Sequence, residues 1–350
     1  MRRNLWILLV SCSLMSACAV KLPSAPPASN TLGLTTESEL VTAERQMEIE
    51  ELYETGEEGT FSGADDISIY YKVFRQSTKD SPAILISAGR TEAAIKYKEL
   101  IFDLYRLGYS VYIHDHRGQG LSGRMLDDPD MGYVADFQDY IEDMRQFYQA
   151  EIQPSRHSAV FLIAHSMGGA IGMTYLQQFP SDFQAAAFSS PMLGLPTGAC
   201  GGTNLLIGKE PKYALGQGPY QEPQTAFKKN KLTGSEIRYN RMVEAFTIEP
   251  KARLGGTSYH WVKESCEQFD YMNDNIGKIE TPFLIFSAAN EQIVREKAHQ
   301  EFIEEARELD KICYGYRIAN AQHELLIEKD PQRIQVINQM HWFFKLYQKN

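Results

Sequence analysis

A serine between an apolar segment and a glycine-rich segment is the first candidate for chemistry. Ser166 lies in Ala164-His165-Ser166-Met167-Gly168-Gly169, after the apolar residues 159–164 and before a helical pattern over 170–178. This is the G-x-S-x-G pattern of a nucleophile elbow, with alanine in place of the first glycine. Small residues are needed two positions either side of the serine because the strand-to-helix turn is tight. The start of the helix directs amide N–H groups towards developing oxyanion charge, so the pattern predicts a nucleophilic serine.

A serine hydroxyl is a weak nucleophile unless a base accepts its proton and an acid orients that base. In a nucleophile-elbow protein the acid and then the histidine follow the serine along the chain. Glu291 comes directly after a predicted strand at 282–288, and His323 follows a predicted final strand at 315–319. The sequence therefore predicts a triad of Ser166, His323 and Glu291, with Asp274 as a distant alternative for the acid.

Two backbone amides are expected to bind the oxyanion. One belongs to Met167, the residue after the nucleophile, and the other to a residue in the loop after an early strand. That loop spans residues 87–92, where Gly89 lets the chain turn close to the serine, and we assign the second donor to the amide of Arg90. Two interpretations of the Arg90 side chain remain open at this stage, contact with an anionic headgroup or a solvated loop charge.

The elements that must position these residues alternate between strands and helices. Short apolar segments rich in β-branched and aromatic residues are typical of strands buried on both faces of a parallel sheet, and they span residues 83–88, 109–114, 159–164, 185–190 and 282–288. Helical patterns lie between or after them at 97–107, 137–150 and 331–347. The alternation predicts an α/β fold with a mostly parallel sheet and helices on both faces.

The alternation stops between residues 195 and 275, where glycine, lysine, asparagine and aromatic residues mix without a clear strand. We interpret this region as an inserted, mainly helical cap over the carboxyl edge of the sheet. The core then consists of residues 46–194 and 276–350.

The first residues have the layout of a secretory signal over residues 1–17. Arg2 and Arg3 precede an apolar stretch, and small residues precede Cys18. The ending Met-Ser-Ala-Cys resembles the lipobox of bacterial lipoproteins, which implies a lipidated Cys18 and a membrane surface as partner; an ordinary signal peptide is the alternative. Ala19 after the cysteine favours the outer membrane within the cell envelope. Residues 18–45 are predicted to be the lipidated N-terminus and a flexible tether.

Charge and cysteine content narrow the class of protein. The formal net charge of −10 disfavours nucleic acid as a partner. With Cys12 removed and Cys18 modified, at most one intramolecular disulfide can form among the remaining three, and Cys200 with Cys266 is the first pairing to consider.

A metal site and a nucleotide site are both unsupported by the sequence. His114 and His116 form a histidine pair without a third ligand nearby, and Gly118-x-Gly120 lacks the third glycine of a nucleotide-binding pattern. We expect neither a metal nor a cofactor.

Four segments together resemble the bacterial lysophospholipases of the monoacylglycerol lipase-like α/β-hydrolase group. They are Asp-His-Arg-Gly-Gln-Gly-Leu-Ser-Gly at 115–123, the elbow at 164–170, Tyr-His-Trp-Val-Lys-Glu-Ser at 259–265, and His323-Glu324 with the Glu-Lys-Asp at 328–330. The resemblance covers the chain from about Ser62 onwards. A lipidated N-terminus is not typical of this family.

The resemblance implies an α/β-hydrolase fold with Ser166, Glu291 and His323 as its triad. It also implies hydrolysis of lysophospholipids, with His165, His260 and Trp261 expected to contact the amphiphilic single-chain substrate. A monoacylglycerol lipase or general carboxylesterase has the same triad and is the alternative enzyme. A non-catalytic envelope lipoprotein with a hydrolase-like binding body is the alternative from another class.

Overall fold

The structure is a computed structural model that describes residues 22–26, 28–78, 80–201, 207–208, 210–221 and 226–348. The predicted signal at 1–17 and the predicted lipidation site Cys18 lie outside the described residues.

Within the described residues, eight strands form one sheet in the order β1-β2-β4-β3-β5-β6-β7-β8. The pairs β1–β2 and β2–β4 are antiparallel, and all other pairs are parallel. The strands are β1 (Glu57–Ser62), β2 (Ser68–Phe74), β3 (Ala83–Ser87), β4 (Ser110–His114), β5 (Val160–His165), β6 (Ala185–Ser189), β7 (Phe283–Ala288) and β8 (Cys313–Ile318). The predicted α/β fold with a mostly parallel sheet is confirmed.

Helices cover both faces of the sheet. Alternate residues of each central strand point to opposite sides, and since both sets are apolar, both faces must be buried. On β3, Leu85 belongs to one hydrophobic cluster, whereas Ile84 and Ile86 belong to the other. The first cluster includes residues of α4, α5, α7 and α8, and the second includes residues of α3 and α9. The helices are α1 (Glu37–Leu40), α2 (Ala43–Glu54), α3 (Lys98–Arg106), α4 (Gln138–Phe147), α5 (Met167–Gln178), α6 (Glu236–Ile248), α7 (Tyr259–Asp274), α8 (Glu296–Glu308) and α9 (Asp330–Tyr347). None of the described helices is both long enough and apolar enough to cross a bilayer.

The prediction of a flexible tether over residues 18–45 is wrong for the described residues from Leu22 onwards. Leu22 and Leu34 are buried, and both the amide and the hydroxyl of Thr35 donate hydrogen bonds to Asp103 Oδ1 at 3.0 and 2.8 Å. Helix α1 and the start of α2 lie in the same segment. The segment is ordered because its few apolar side chains pack in the hydrophobic clusters of the core, which a composition rich in proline and serine does not reveal.

The region predicted as a cap contains α6 and α7. Helix α7 also belongs to the core, because Gln177 of α5 donates a hydrogen bond to the Met272 carbonyl at 2.7 Å.

A disulfide joins Cys200 to Cys266 of α7, so the predicted pairing is confirmed, and Cys313 is buried without a disulfide. The disulfide ties the first part of the insertion to a helix that packs on the core.

Candidate active site

Ser166 lies between β5 and α5 with a strained backbone, at φ 50° and ψ −119°. A β-carbon on Gly168 would lie 2.2 Å from the Ser87 carbonyl oxygen, so the position two residues after the serine must be glycine. Two residues before the serine, Ala164 fits because a glycine faces it: a β-carbon on Gly172 would lie 3.2 Å from that of Ala164. The predicted need for small residues around the serine is therefore met, with Gly172 making room for the one alanine.

The structure brings the three predicted triad residues together. His323 Nε2 lies 2.9 Å from Ser166 Oγ, and His323 Nδ1 lies 2.8 Å from Glu291 Oε2. The side chains of His323 and Glu291 are 3% and 1% exposed. Because the Glu291 carboxylate accepts a hydrogen bond from Nδ1–H, Nε2 is left unprotonated and can accept a hydrogen bond from the Ser166 hydroxyl, which is the arrangement of a nucleophile, a base and an orienting acid. Asp274, the alternative acid, is exposed at the end of α7.

Glu291 is held in its charged form by hydrogen bonds. Burial alone would raise its pKa, but the hydrogen bond from His323 and the amides of Ile293 and Val294 hold the pKa below its ordinary value. These amides and that of Gln292 donate to Oε1 at 2.8 to 3.2 Å, which leaves Oε2 for the histidine. Glutamate thus fits the acid position, because the backbone amides of one turn donate hydrogen bonds to one of its carboxylate oxygens.

The loop after β3 lines the site and is fixed by a buried carboxylate. The Gly89 amide donates to a carboxylate oxygen of Glu92, which also accepts a hydrogen bond from the Tyr97 hydroxyl. Within the described part of the chain, the amides of Arg90 and Met167 have no acceptor. Both predicted donors are therefore free to bind an oxyanion, and Glu92 fixes the turn that holds one of them.

Behind this loop lies a buried ion cluster of Glu92, Lys96, His165 and Glu324. The Lys96 ammonium bridges the carboxylates of Glu92 and Glu324, and His165 Nε2 lies 3.2 Å from Glu324 Oε2. Burial would lower the pKa of His165, but Glu324 and Glu92 raise it above its ordinary value. Burial likewise would raise the pKa of Glu324, and Lys96 with His165 hold it well below its usual range.

The same cluster is the one group of potential metal ligands found among the described residues, namely Glu92, His165 and Glu324. The Lys96 ammonium already supplies a cation between the two carboxylates. The histidine pair considered from the sequence is not part of that group: His116 Nε2 contacts the Ala88 carbonyl at 3.1 Å instead, as expected of a structural turn. The sequence pointed to His165 but not to its neighbours Lys96 and Glu92. For Glu324 there was a signal, since it directly follows His323 in the chain.

A cavity of about 860 Å³ opens above Ser166 and His323. Its wall includes Trp261 and His165, and apolar side chains from the cap and its flanks, among them Met192, Leu195, Met242, Phe246, Leu254 and Val262. The His165 side chain is 1% exposed and its Nε2 lies 3.2 Å from Glu324 Oε2, so contact of His165 with substrate stays a prediction. His260 was predicted to contact substrate, but it does not line this cavity. Its ring stacks on Tyr133, and its Nε2 lies 3.0 Å from the Ala135 carbonyl oxygen. The prediction is corrected because successive residues of a helix point in different directions: Trp261 and Val262 of α7 line the cavity, whereas His260 points away from it.

Comparison with known proteins agrees with this geometry. Residues 78–330 match the family described as Hydrolase_4, serine aminopeptidase S33. The chain is 36% identical over 299 residues to lysophospholipase L2 of Escherichia coli strain K12, which covers 82% of this chain and 87% of that protein. It is 31% identical over 292 residues to the probable lysophospholipase L2 of Haemophilus influenzae, covering 81% and 91% respectively.

A solved structure shares the fold. The crystal structure of a soluble variant of monoglyceride lipase from Saccharomyces cerevisiae superposes with a TM-score of 0.65 and 19% sequence identity, covering 84% of this chain and 96% of that one. At this identity the likeness concerns the fold alone. Together with the family match and the lysophospholipase relatives, it means that this chain belongs to the serine aminopeptidase S33 family of α/β-hydrolases and is an ester hydrolase.

Proposed function

We propose that this protein hydrolyses the acyl ester of lysophospholipids, giving a free fatty acid and a glycerophosphodiester. The observation that carries the proposal is the hydrogen-bonded chain from Ser166 through His323 to Glu291 at the floor of a cavity that has both apolar and polar side chains in its wall. The lysophospholipase names of the two relatives that cover most of the chain support this choice of ester.

The proposed reaction follows from the positions of these groups. His323 Nε2 accepts the proton of Ser166 Oγ as the oxygen attacks the ester carbonyl carbon, and Glu291 stabilises the imidazolium that forms. The amides of Met167 and Arg90 bind the oxyanion of the tetrahedral intermediate. The histidine then gives its proton to the glycerol oxygen as the ester bond breaks. Water then attacks the acyl carbon and loses a proton to His323, which returns that proton to Ser166 Oγ as the fatty acid leaves.

Substitution of the proposed nucleophile tests the reaction. We expect Ser166→Ala to lower kcat for lysophosphatidylethanolamine at least about a thousandfold while the far-UV circular dichroism spectrum stays unchanged. Ser38→Ala, a change of an exposed serine at the start of α1, is the matched control and keeps full activity. A fluorophosphonate probe should label the parent protein and not the Ser166 variant. An unlabelled but folded parent protein would support the non-catalytic binding body instead.

Substrate comparison separates the proposed activity from the related one. Monoglyceride lipases are also among the relatives, for example that of Rattus norvegicus at 32% identity over 132 residues, 37% of this chain and 41% of that protein. Lysophosphatidylethanolamine should therefore be compared with a monoacylglycerol of the same acyl chain. A higher kcat/KM for the monoacylglycerol would reject the lysophospholipid assignment and leave the ester hydrolase.

We also propose that the protein is an envelope lipoprotein anchored at a membrane through Cys18. The charged, apolar and small-residue order of residues 1–17 and the lipobox-like ending support the proposal. Anchoring would keep the cavity near the bilayer from which a single-chain lipid leaves. Cells that express the protein should incorporate labelled palmitate into it, and Cys18→Ser should abolish that label. Label that persists in the variant would reject the anchor.

A further inference from the structure

The wall of the cavity contains an arginine side chain whose charge has no carboxylate partner. Three cationic side chains line the cavity within the described residues: Arg90, Lys96 and Arg253. The Lys96 ammonium is neutralised by the two carboxylates of the buried ion cluster. Arg253 donates through Nε to the Phe246 carbonyl at 2.7 Å and lies over the Tyr220 ring. Arg90 differs from Lys96, because no carboxylate of the described chain lies within ion-pair distance of its guanidinium.

The guanidinium of Arg90 is held by neutral groups. Its Nη1 donates to the Gly255 carbonyl at 2.9 Å, and its central carbon lies 5.7 Å from the centre of the Trp261 ring. Burial lowers the pKa of Arg90 to about 10, and Tyr140 is the one group that acts in the other direction. Burying an unpaired charge is costly unless a ligand or solvent compensates for it. The position is therefore one that an anion would stabilise.

The remaining donors of this guanidinium are accessible. An arginine has five N–H donors, and the bond to Gly255 is the one that Arg90 makes with the described part of the chain. No nitrogen of Arg90 is among the described polar atoms that are both fully buried and without a partner. Arg90 is half-buried and lines the cavity, so two of its unused N–H groups can donate hydrogen bonds to two oxygens of one phosphate that binds there.

The position of Arg90 fits the layout of the proposed substrate. Its backbone amide is the oxyanion donor proposed above, so its side chain begins at the ester carbonyl and extends to Gly255 and Trp261 at the base of the cap. In a lysophospholipid a glycerol unit separates the acyl ester from the phosphate. We propose that the Arg90 side chain binds the phosphate of the substrate headgroup and determines the preference for lysophospholipids over neutral monoacylglycerols. This inference rests on the proposed function.

The test compares two substrates in four proteins, the parent, two variants of Arg90 and a control variant. Values of kcat/KM are measured for lysophosphatidylethanolamine and for a monoacylglycerol, both with the same short acyl chain and both below their critical micelle concentrations. Arg90→Met keeps an unbranched apolar side chain and removes the charge. We expect it to lower kcat/KM for the lysophospholipid about ten- to hundredfold more than kcat/KM for the monoacylglycerol, as for the loss of a hydrogen-bonded charge. Arg90→Lys keeps the charge but cannot bind the phosphate in a bidentate manner. Its kcat/KM for the lysophospholipid should lie between the values for the parent protein and for Arg90→Met.

Arg106 provides a matched control. Its Nη1 donates to the Gly33 carbonyl at 3.3 Å and its guanidinium lies 5.4 Å from the centre of the Phe102 ring, so its contacts are of the same kind as those of Arg90. It is exposed on α3 and does not line the active-site cavity. Arg106→Met should leave kcat/KM for both substrates unchanged.

Each result decides between the possibilities. Equal losses for both substrates in Arg90→Met would mean that the side chain only positions the oxyanion loop, and no loss for either would mean that it binds nothing; both results overturn the headgroup site and leave the proposed function intact. Failure of the parent protein to hydrolyse the lysophospholipid would instead reject the proposed function. Inorganic phosphate at millimolar concentration should inhibit monoacylglycerol hydrolysis much less than glycerophosphoethanolamine does. Equal inhibition by both would assign the site to free phosphate.

Discussion

Gly168 offers a direct test of how the elbow positions the oxyanion donors. A β-carbon at this position would lie 2.2 Å from the Ser87 carbonyl oxygen and 2.4 Å from that of Ala88, whereas real contacts of this kind are essentially never under 3.0 Å. In Gly168→Ala the start of α5 and the end of β3 must therefore separate by about 0.8 Å. Both obstacles are backbone atoms, so no side-chain rotation can relieve the contact.

The separation moves the two proposed donors apart, because Met167 is on α5 and Arg90 follows β3. A misplacement of about 1 Å can cost about 100-fold in rate, and loss of one oxyanion donor costs about 100- to 1000-fold. We therefore expect Gly168→Ala to lower kcat/KM about 100-fold, equivalent to about 2.7 kcal/mol of transition-state stabilisation. The overpacking should also lower the free energy of unfolding by about 1 to 3 kcal/mol, which a domain with about 5 to 15 kcal/mol survives.

The assay is hydrolysis of a soluble p-nitrophenyl ester, combined with urea unfolding of the same samples. Gly277→Ala is the control, since it is the same substitution at an exposed glycine where the added β-carbon would approach nothing closer than a side-chain atom of Leu309 at 4.0 Å. No neighbouring atom has to move, so we expect kcat/KM to stay within about threefold. A Gly168→Ala protein that is folded and retains more than a third of the parent kcat/KM would refute the reasoning.

Two further predictions concern the buried ion cluster. Lys96→Met leaves two buried carboxylates without their ammonium and should lower the free energy of unfolding by about 3 to 5 kcal/mol. Lys98→Met is the control. It removes an ion pair with the more exposed Glu50 and should lower the free energy of unfolding by less than about 1 kcal/mol. Denaturant titrations measure both, and equal losses would contradict the burial argument. The loss in Lys96→Met should also depend on pH. Because Lys96 helps to hold the pKa of Glu324 below its unfolded-state value, about 4.3, the folded protein gains stability as pH rises towards that value, keeps the gain above it, and loses it on acidification. The variant lacks this gain, so the stability difference should increase between about pH 3 and 5 and then stay level. A difference that stays constant from about pH 3 to 5 would count against the ion-pair assignment.

The sequence predicted the central sheet and the triad because both have local signals. Strands buried on both faces are unbroken apolar segments, and the predicted segment 83–88 corresponds to β3 at Ala83–Ser87. The elbow has a tight turn that demands small residues, and the acid and the histidine follow strands whose order along the chain is fixed by the fold. In the structure His323 lies in hydrogen-bond contact with both Ser166 and Glu291.

Features that depend on tertiary packing were not predictable in the same way. Strand β1 was missed because its residues Glu57–Ser62 are mostly polar and partly exposed at the edge of the sheet. The ordered segment from Leu22 was missed because proline and serine dominate its composition. In the sequence, nothing distinguishes Lys96 from a surface lysine. Only the fold places its ammonium between the carboxylates of residues 92 and 324.

The contrast between Lys96 and Arg90 connects the stability of the site with its specificity. Both cations line the same cavity, but the fold supplies carboxylates for Lys96 and only a carbonyl and a ring for Arg90. A charge that the fold neutralises contributes to stability and adds little net attraction for a ligand, whereas an uncompensated charge acts on whatever enters the cavity. Since the oxyanion forms on every ester, Arg90 can assist all substrates to some extent. A headgroup site is therefore identified by a larger loss of kcat/KM in Arg90→Met for a phosphate-bearing ester than for a neutral ester. A loss of kcat/KM for one substrate alone does not identify it.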